Sequence, residues 1–423
     1  MMNWRVLLMS LVRRGNLNSI YQQNLRCQYR GTEDSIKCEM QKNAIKIFQF
    51  HVENNPLYRN FLDDRGFDYH DLDHIVWEDI PIITKADLKK YYPEINSQTY
   101  NYTSTGGSTN IPFRYPASKE SALAMWPNHW MMHQMCDLKP YDKMLMLMGY
   151  HNTQKGFIKK FYHWLSNFYT FSSFDMTDVQ MEKIYNLVVK KRIKFIYGYS
   201  SSINQFLRYL KSNNLSLNLK GIFTTSENKI SSNYLLAKEC CNCDVFDQYG
   251  AHDGDIFSFE CKEHAGLHVL HNMSTVEIVN NEIILTAVKN KAFPFIRYRV
   301  GDITSGNKLI TEKCKCGRTL FRIDSISGRN TYFVKDVDGQ EISVLWFTYA
   351  FDDDSNILQY QVVEEEGNLK INIITDFYDK NQIEELFRPF ILSKLKRPVE
   401  FVVNQNIYKL PNAKVPLFYM VKK

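Results

Sequence analysis

The stretch "DVQMEKIYNLVVKKRIKFIYGYSSSINQFLRYLKSNN", residues 178–214, decides the fold. Its first part, 178–192, repeats apolar residues at helical spacing and predicts an amphipathic helix. Residues 193–202 read as a strand that ends in a polar turn, and residues 203–214 as a second helix. The same alternation of helix and strand is predicted from about residue 175 to 290. Strands alternating with helices of this length predict a layered α/β domain, in which ligands gather at the carboxyl ends of the strands.

The sequence before and after this region predicts other arrangements of helices and strands. Residues 34–66 predict helices that restart at Pro56, and Thr84 is predicted to cap a short basic helix. After residue 330 the chain predicts a hairpin, a helix and a strand. Pro389 is expected to kink that helix or split it in two. The expected fold is therefore a large α/β domain followed by a small α+β domain.

Length and charge restrict the class of protein. A chain of 423 residues predicts two or more domains, and a net charge of +6 from 52 basic and 46 acidic residues gives weak support for nucleic-acid binding. The N-terminal "MMNWRVLLMSLVRRG" has too short an apolar run, and two arginines stand where a signal-peptide cleavage site belongs. We expect a cytoplasmic chain without a transmembrane segment. Its amphipathic start either packs on the body or touches a membrane surface weakly.

Cysteine usage suggests a metal. The chain has nine cysteines, an odd number that argues against a disulfide framework. Two thiolates at C-x-C spacing, with a cysteine and a histidine about 50 residues away, suit tetrahedral zinc. Four protein ligands would make that zinc structural. The candidate ligands are Cys261, His264, His268, Cys314 and Cys316.

The stretch "NYTSTGGSTNIPFRYP", residues 101–116, combines two glycines with many hydroxyl side chains. Glycines let backbone N–H groups approach an anion, and serine and threonine add donors. The stretch lacks G-x-x-x-x-G-K-[ST], so it is not a Walker-type loop. By itself it fits either a phosphate cradle or a flexible surface turn.

Two further motifs place carboxylates beside predicted strands. "QYGAHDGD", residues 248–255, could hold a purine and Mg²⁺, or could be a plain turn. "FPFIRYRVGD", residues 293–302, ends on Asp302, which could accept hydrogen bonds from ribose hydroxyls or close a surface strand. Lys414, near the C-terminus, reads alone as a solvated surface lysine.

The order of these motifs resembles the adenylate-forming ligase superfamily. More narrowly, the chain resembles the phenylacetate–CoA ligase-like family and its capsular-polysaccharide CapK-type branch. The resemblance runs from about residue 40 to the C-terminus. Its landmarks are "NPLYRNF" (55–61), "IPIITKADL" (80–88), "YGYSSSINQFLRYL" (197–210), "TTSE" (224–227), "CKEHAGLHV" (261–269), "PFIRYRVGD" (294–302) and "CKCGR" (314–318) with "ISGR" (326–329).

The resemblance implies ATP-dependent activation of a carboxylic acid to an acyl-adenylate, with release of pyrophosphate. The acyl group then passes to a thiol such as that of CoA. It also implies an adenylate-forming N-terminal domain with the zinc subsite, residues 1–328, and a mobile C-terminal cap, residues 329–423. The partners would be a small carboxylic acid and an acyl acceptor, in cell-surface polysaccharide synthesis.

Residue roles follow from the same resemblance. Asp253 takes the acidic position associated with Mg²⁺, and Lys414 matches the lysine that bridges the carboxylate and the α-phosphate. At the zinc site His268 is preferred, because its strand can hold the ring fixed, with His264 as the alternate. The nucleotide-binding positions are Thr105, Gly106, Gly107, Ser108 and Thr109 for the phosphates, Tyr249 and Gly250 for the adenine and α-phosphate region, Asp302 for the ribose, and Arg329 near the ribose and phosphate.

The phosphate loop departs from the family pattern T-S-G-S-T-G-x-P. Gly106, Asn110 and Phe113 stand where the family usually has serine, glycine and lysine, and Ala413 replaces the glycine before the late lysine. Two alternatives therefore accompany the ligase hypothesis. The acyl group could pass to the amine of an amino sugar, or the protein could bind adenylate without catalysis.

Overall fold

The computed structural model describes residues 3–92, 102–104, 114–116, 118–149, 157–173, 176–329, 332–339, 341–351, 354, 356–405, 407–410 and 415–421. The chain forms two compact units, and each is built from two separate segments of sequence. The first unit is Met1–Pro140 with Gln248–Ile326, and the second is Tyr141–Asp247 with Ser327–Lys423. No helix among the described residues is long and apolar enough to cross a membrane.

Twelve α-helices lie in the described part of the chain. They are α1 (Trp4–Val12), α2 (Leu17–Cys27), α3 (Glu33–Asn54), α4 (Pro56–Asp64), α5 (Lys85–Tyr91), α6 (Lys119–His133), α7 (Phe157–Ser166), α8 (Asp178–Lys191), α9 (Ser200–Ser212), α10 (Ser232–Cys241), α11 (Thr348–Phe351) and α12 (Lys380–Leu395). Short 3₁₀ turns occupy Leu72–His74, Trp77–Asp79, Gln134–Cys136 and Val344–Phe347.

The same residues contain 21 strands. They are β1 (Ile83–Thr84), β2 (Tyr102–Ser104), β3 (Arg114–Pro116), β4 (Met144–Met148), β5 (Phe168–Ser172), β6 (Phe195–Tyr199), β7 (Gly221–Thr225), β8 (Val245–Ala251), β9 (Ile256–Glu260), β10 (Leu267–Val269), β11 (Ser274–Val279), β12 (Glu282–Ala287), β13 (Tyr298–Thr304), β14 (Arg322–Ile323), β15 (Ile326–Arg329), β16 (Phe333–Lys335), β17 (Glu341–Ser343), β18 (Ile357–Glu365), β19 (Asn368–Thr375), β20 (Glu400–Val403) and β21 (Phe418–Met420).

The first unit is built on two sheets. In one, the strand order is β1-β13-β12-β11, with β1 parallel to β13 and the other neighbours antiparallel. In the other, β14, β10, β9 and the last four residues of β8 pair antiparallel in that order. A core that includes Phe48, Tyr58, Phe295 and Tyr298 packs α3 and α4 with strands of these sheets. Thr84 caps α5 through a capping box with Asp87, as the sequence predicted.

The second unit contains the parallel strands of the region where helices and strands alternate. Strands β7, β6, β4 and β5 are neighbours in that order and run parallel, while α8, α9 and α10 connect consecutive strands from β5 to β8. The predicted layered α/β arrangement is confirmed. Ser200, predicted to lie in a turn after β6, instead begins α9 directly. The cluster Cys240, Cys241 and Cys243 is buried in the core of this region.

The C-terminal part of the second unit has its own core. Strands lie in the order β20-β19-β18-β21, and β18 and β19 form the predicted hairpin. Helix α12 is not split at Pro389. Its buried residues recur at Ile383, Phe387 and Ile391, and this continuous apolar face holds the helix together across the proline.

Candidate functional site

Two five-residue segments of the first unit share the pattern Tyr-x-x-x-Asp. They are "YGAHD", residues 249–253, and "YRVGD", residues 298–302. The Tyr249 hydroxyl donates a hydrogen bond to Asp302 Oδ2 across 2.7 Å. The Tyr298 hydroxyl donates one to Asp253 Oδ2 across 3.0 Å. Each segment therefore supplies the tyrosine that orients the other segment's carboxylate, and we call this arrangement the reciprocal Tyr–Asp pairs.

Strand geometry fixes these pairs. Tyr249 lies on β8 opposite Ser258 of β9, whose hydroxyl donates to the Tyr249 carbonyl oxygen across 3.0 Å. Tyr298 begins β13 and is only 1% exposed, while the carboxylates of Asp253 and Asp302 are 6% and 7% exposed. A buried carboxylate is stable only with hydrogen-bond partners, and the tyrosines supply them.

The turn that carries Asp253 requires a glycine. Gly254 has φ +108°, and a Cβ there would lie 2.7 Å from the Leu285 side chain. Asp255 follows in the left-handed region at φ +56° and accepts a hydrogen bond from Ser121 Oγ at 2.6 Å. Burial raises the pKa of Asp255 to about 6, and the nearby charge of Asp253 adds to that rise. The turn thus holds two carboxylates in close electrostatic contact.

The chemistry of the carboxylates indicates which ligands they can bind. Carboxylate oxygens are hard ligands that suit Mg²⁺, and a fixed carboxylate at a strand can accept hydrogen bonds from vicinal sugar hydroxyls. Gly250 follows Tyr249 on β8, where it is exposed and lies opposite Phe257. A Cβ at Gly250 would come within 2.7 Å of the Gln248 amide, so glycine keeps the backbone accessible there.

A second constellation in the same unit joins thiols and an imidazole. The ligand atoms of Cys261, His268, Cys314 and Cys316 all lie within 4.8 Å of one another. The sulfurs of Cys261 and Cys314 are 3.8 Å apart, and Cys316 Sγ is 3.5 Å from His268 Nε2. Tetrahedral zinc with Zn–S of ~2.3 Å and Zn–N of ~2.0–2.1 Å sets ~3.8 Å between sulfurs and ~3.6 Å between sulfur and nitrogen. We call these four residues the Cys₃His cluster.

The backbone around the Cys₃His cluster explains its shape. His268 lies on β10, fully buried, with Nδ1 3.4 Å from the Leu320 carbonyl oxygen. The loop that carries Cys314 and Cys316 closes through a hydrogen bond from the Cys314 N–H to the Arg318 carbonyl. Burial raises the pKa of the Cys316 thiol, but hydrogen bonds with His268 and Arg318 outweigh it and lower the pKa to about 5. A thiolate is the form that binds metal.

His264, the alternate ligand, lies apart from this group. Its Nδ1 is 3.1 Å from Glu260 Oε2, and its backbone is in the left-handed region at φ +48°. The geometry therefore assembles the cluster around His268.

Several predicted site residues cannot be located. The phosphate-loop residues Thr105, Gly106, Gly107, Ser108 and Thr109, and also Lys414, lie outside the described residues. The strands that flank the loop, β2 and β3, pair antiparallel. Arg329 is the last residue of β15, and only its backbone is described.

Glu227 is the last residue of the landmark "TTSE" (224–227), and no functional role is predicted for it from the sequence. Its carboxylate accepts hydrogen bonds from the Ser201 N–H at 2.8 Å, the Ser201 hydroxyl at 3.1 Å and the Val415 N–H at 2.7 Å. Ser201 lies in the first turn of α9, where backbone N–H groups attract an anion. Glu227 therefore ties the residue after Lys414 to the start of α9, within the second unit. Its position just after buried β7 was the available signal.

Comparison with known proteins identifies the fold. No protein-family model and no curated protein sequence matches the chain. One similar solved structure is that of 2-hydroxyisobutyryl-CoA ligase in its postadenylation state with R3-HIB-AMP. It matches with a TM-score of 0.68 and 15% identity, and the match covers 93% of this chain and 91% of that chain. The same ligase with 2-HIB-AMP and CoA in the thioesterification state matches with a TM-score of 0.59, over 93% and 92%. An ATP-bound RpMatB-BxBclM chimera matches with a TM-score of 0.51 and 12% identity, over 74% and 66%. The chain has the fold of adenylate-forming acyl-CoA ligases.

Proposed function

We propose that the protein activates a carboxylic acid with ATP and transfers the acyl group to a thiol such as that of CoA. The acid's carboxylate oxygen attacks the α-phosphorus of ATP, which forms an acyl-adenylate and expels pyrophosphate. The thiol then attacks the acyl carbon, and AMP leaves as the thioester forms. The observation that carries this proposal is the reciprocal Tyr–Asp pairs, fixed in two segments of a chain with this fold.

The pairs suggest a division of roles. Asp302 would accept hydrogen bonds from the ribose hydroxyls, with Tyr249 and Gly250 beside the adenine and α-phosphate. Asp253 offers a hard carboxylate oxygen to Mg²⁺, which would neutralise the negative charge of the phosphates. Residues 105–109 would contact the phosphates, and Arg329 would lie near the ribose and phosphate.

Lys414 is the proposed catalytic cation. A lysine directed at the developing negative charge between carboxylate and α-phosphate would stabilise the transition state. Val415, the next residue along the chain, donates its N–H to Glu227. We further propose that residues 329–423 act as a mobile cap, so that Lys414 acts only in adenylation.

We propose a structural zinc ion in the Cys₃His cluster. All four ligand atoms would come from the protein, so the ion would have no position left for substrate. Its role would be to join the loop of Cys314 and Cys316 to the β9–β10 region. The sulfur–sulfur distance of 3.8 Å supports this assignment.

The narrower placement rests on the sequence resemblance. We propose a cytoplasmic enzyme of the phenylacetate–CoA ligase-like family, CapK-type branch, acting in cell-surface polysaccharide synthesis. An amine acceptor and a non-catalytic adenylate-binding role are the competing hypotheses.

ATP–pyrophosphate exchange across a panel of carboxylic acids tests the proposal. We expect exchange with at least one acid, and CoA-ester formation with the same acid. Lys414→Ala should lower exchange by about 10²–10³-fold, as loss of one charge-stabilising donor does elsewhere. Lys394→Ala, an exposed lysine at the end of α12, is the matched control and should leave exchange unchanged.

The outcomes separate the hypotheses. Exchange without thioester, together with acyl transfer to an amino sugar, would favour the amine acceptor. ATP or AMP binding without exchange for any acid, unaffected by Lys414→Ala, would favour the non-catalytic role.

A further inference from the structure

The first helix of the chain has apolar residues on opposite sides. Val6 and Met9 on α1 are 3% and 0% exposed, so one side is buried within the first unit. The other side carries Trp4, Leu7 and Leu11, which recur at helical spacing. These three and Val12 form what we call the outward stripe, with exposed fractions of 53% for Trp4, 48% for Leu7, 76% for Leu11 and 58% for Val12.

The helix is firmly attached, so the stripe has a fixed direction. Asn3 caps α1 by accepting a hydrogen bond from the Arg5 N–H at 3.0 Å, and its amide donates to the Pro140 carbonyl at 3.0 Å. Near the other end, the Arg13 guanidinium donates to the Ala122 carbonyl at 2.9 Å. The outward stripe is therefore displayed by a helix held at both ends.

Charge identifies the kind of partner. Residues 1–32 contain five arginines and no aspartate or glutamate. The Arg5 guanidinium lies 4.8 Å from the centre of the Trp4 ring, and Arg14 is exposed just after the helix. Tryptophan and arginine together are typical of helices that lie at the boundary between lipid headgroups and acyl chains.

We propose that the outward stripe binds the surface of a membrane that contains anionic lipids. Trp4, Leu7 and Leu11 enter the boundary between headgroups and acyl chains, and Arg5 and Arg14 attract the lipid phosphates. The apolar area is small, so the association is reversible and depends on ionic strength. A protein partner would need its own acidic surface to match five arginines, whereas an anionic membrane supplies that charge everywhere.

Vesicle sedimentation with the full chain tests this proposal. We expect binding to vesicles of equal phosphatidylcholine and phosphatidylglycerol, much weaker binding to phosphatidylcholine alone, and loss of binding as salt is raised. The double variant Leu7→Gln/Leu11→Gln keeps the net charge and should bind roughly tenfold less, because two apolar side chains leave the interface. Leu235→Gln is the matched control, since Leu235 is 71% exposed on α10 in the second unit.

Thermal melting of each variant shows that a loss of binding is not a loss of fold. Binding by the double variant equal to that of the unaltered chain would overturn the proposal, as would no binding to anionic vesicles. A second copy of the chain is the competing occupant. Analytical ultracentrifugation of the chain without vesicles tests this alternative. A dimer that becomes monomeric in Leu7→Gln/Leu11→Gln, together with no binding to vesicles, would assign the stripe to self-association and overturn the membrane proposal.

Discussion

The Cys₃His cluster and the reciprocal Tyr–Asp pairs lie in the same unit and use their side chains in opposite ways. In the cluster, three sulfurs and one imidazole nitrogen lie within 4.8 Å of one another. In the pairs, hard carboxylates are distributed over two segments, and each is oriented by a tyrosine of the other. Ligand atoms gathered close together suit an ion that the protein encloses. Polar groups spread over two segments suit a ligand with several separate polar groups. Substitutions should therefore affect the fold in the cluster and ligand affinity in the pairs.

The largest expected effect is on stability. If the Cys₃His cluster holds the proposed zinc ion, Cys314→Ser should remove it and lower the melting temperature by about 10 °C or more. Structural zinc contributes about 10–16 kcal/mol in small domains, and each kcal/mol lost shifts the melting temperature by about 2–4 °C in a unit of this size. Metal analysis and thermal melting measure both. Cys38→Ser, at an exposed cysteine, should change neither. A zinc-free Cys314→Ser protein with an unchanged melting temperature would contradict the structural role.

The second-largest expected effect is on nucleotide affinity, with little change in the stability of the fold. Asp302→Ala should weaken nucleotide binding by about 10–100-fold, because hydrogen bonds to a charged group contribute about 1.5–3 kcal/mol. Titration with ATP by calorimetry measures the affinity, and the melting temperature should change by only a few degrees. Asp34→Ala, at an exposed aspartate in the first turn of α3, is the control. If Asp302→Ala lowered the free energy of unfolding by as much as it lowered the free energy of ATP binding, Asp302 would be a structural residue.

A smaller effect distinguishes the two pairs from each other. Tyr249→Phe removes the hydroxyl that orients Asp302 and should raise the nucleotide Kd about fivefold, the equivalent of about 1 kcal/mol. Tyr298→Phe removes the partner of Asp253 and should instead raise the Mg²⁺ concentration needed for half-maximal exchange. If both variants changed only the Kd, the proposed division between ribose and metal would be wrong.

The smallest effect concerns His264. Because His264 pairs with Glu260 and lies outside the cluster, His264→Ala should keep one zinc ion per chain and cost less than about 1 kcal/mol, as expected for a partly exposed ion pair. Metal analysis of the purified variant checks this. Zinc loss here, with zinc kept in His268→Ala, would reverse the assignment of the histidine.

Local pattern was sufficient for most of the fold. The alternation over residues 178–250 and the hairpin after Ile357 follow from apolar spacing, which depends only on neighbours along the chain. The failures came where distant contacts decide. The apolar face of α12 outweighs the effect of Pro389. Helix α9 begins at Ser200, and the distant Glu227 carboxylate accepts a hydrogen bond from the Ser201 N–H in its first turn.

In the candidate site, too, some features could be predicted from the sequence and others required the structure. The residue types and spacing indicated Cys261, Cys314 and Cys316 as ligands, and the strand predicted around His268 favoured it over His264; the structure places His268 on β10 with the three cysteines. The reciprocity of the Tyr–Asp pairs was not visible in the sequence. Two Tyr-x-x-x-Asp segments stand 45 residues apart in the sequence, and only pairing in space shows that each completes the other.

The division of the first unit has a consequence during synthesis on the ribosome. Its two segments, Met1–Pro140 and Gln248–Ile326, are separated by the 107 residues 141–247, so it cannot close until the second segment has emerged. At about 5–20 residues per second, the first segment waits roughly 5–20 s before the second segment begins to emerge, and roughly 9–37 s before that segment is complete. Residues 141–247, with their own parallel sheet, emerge complete in that interval. Residues 141–247 therefore emerge with a parallel sheet and a hydrophobic core of their own before the first unit can be completed.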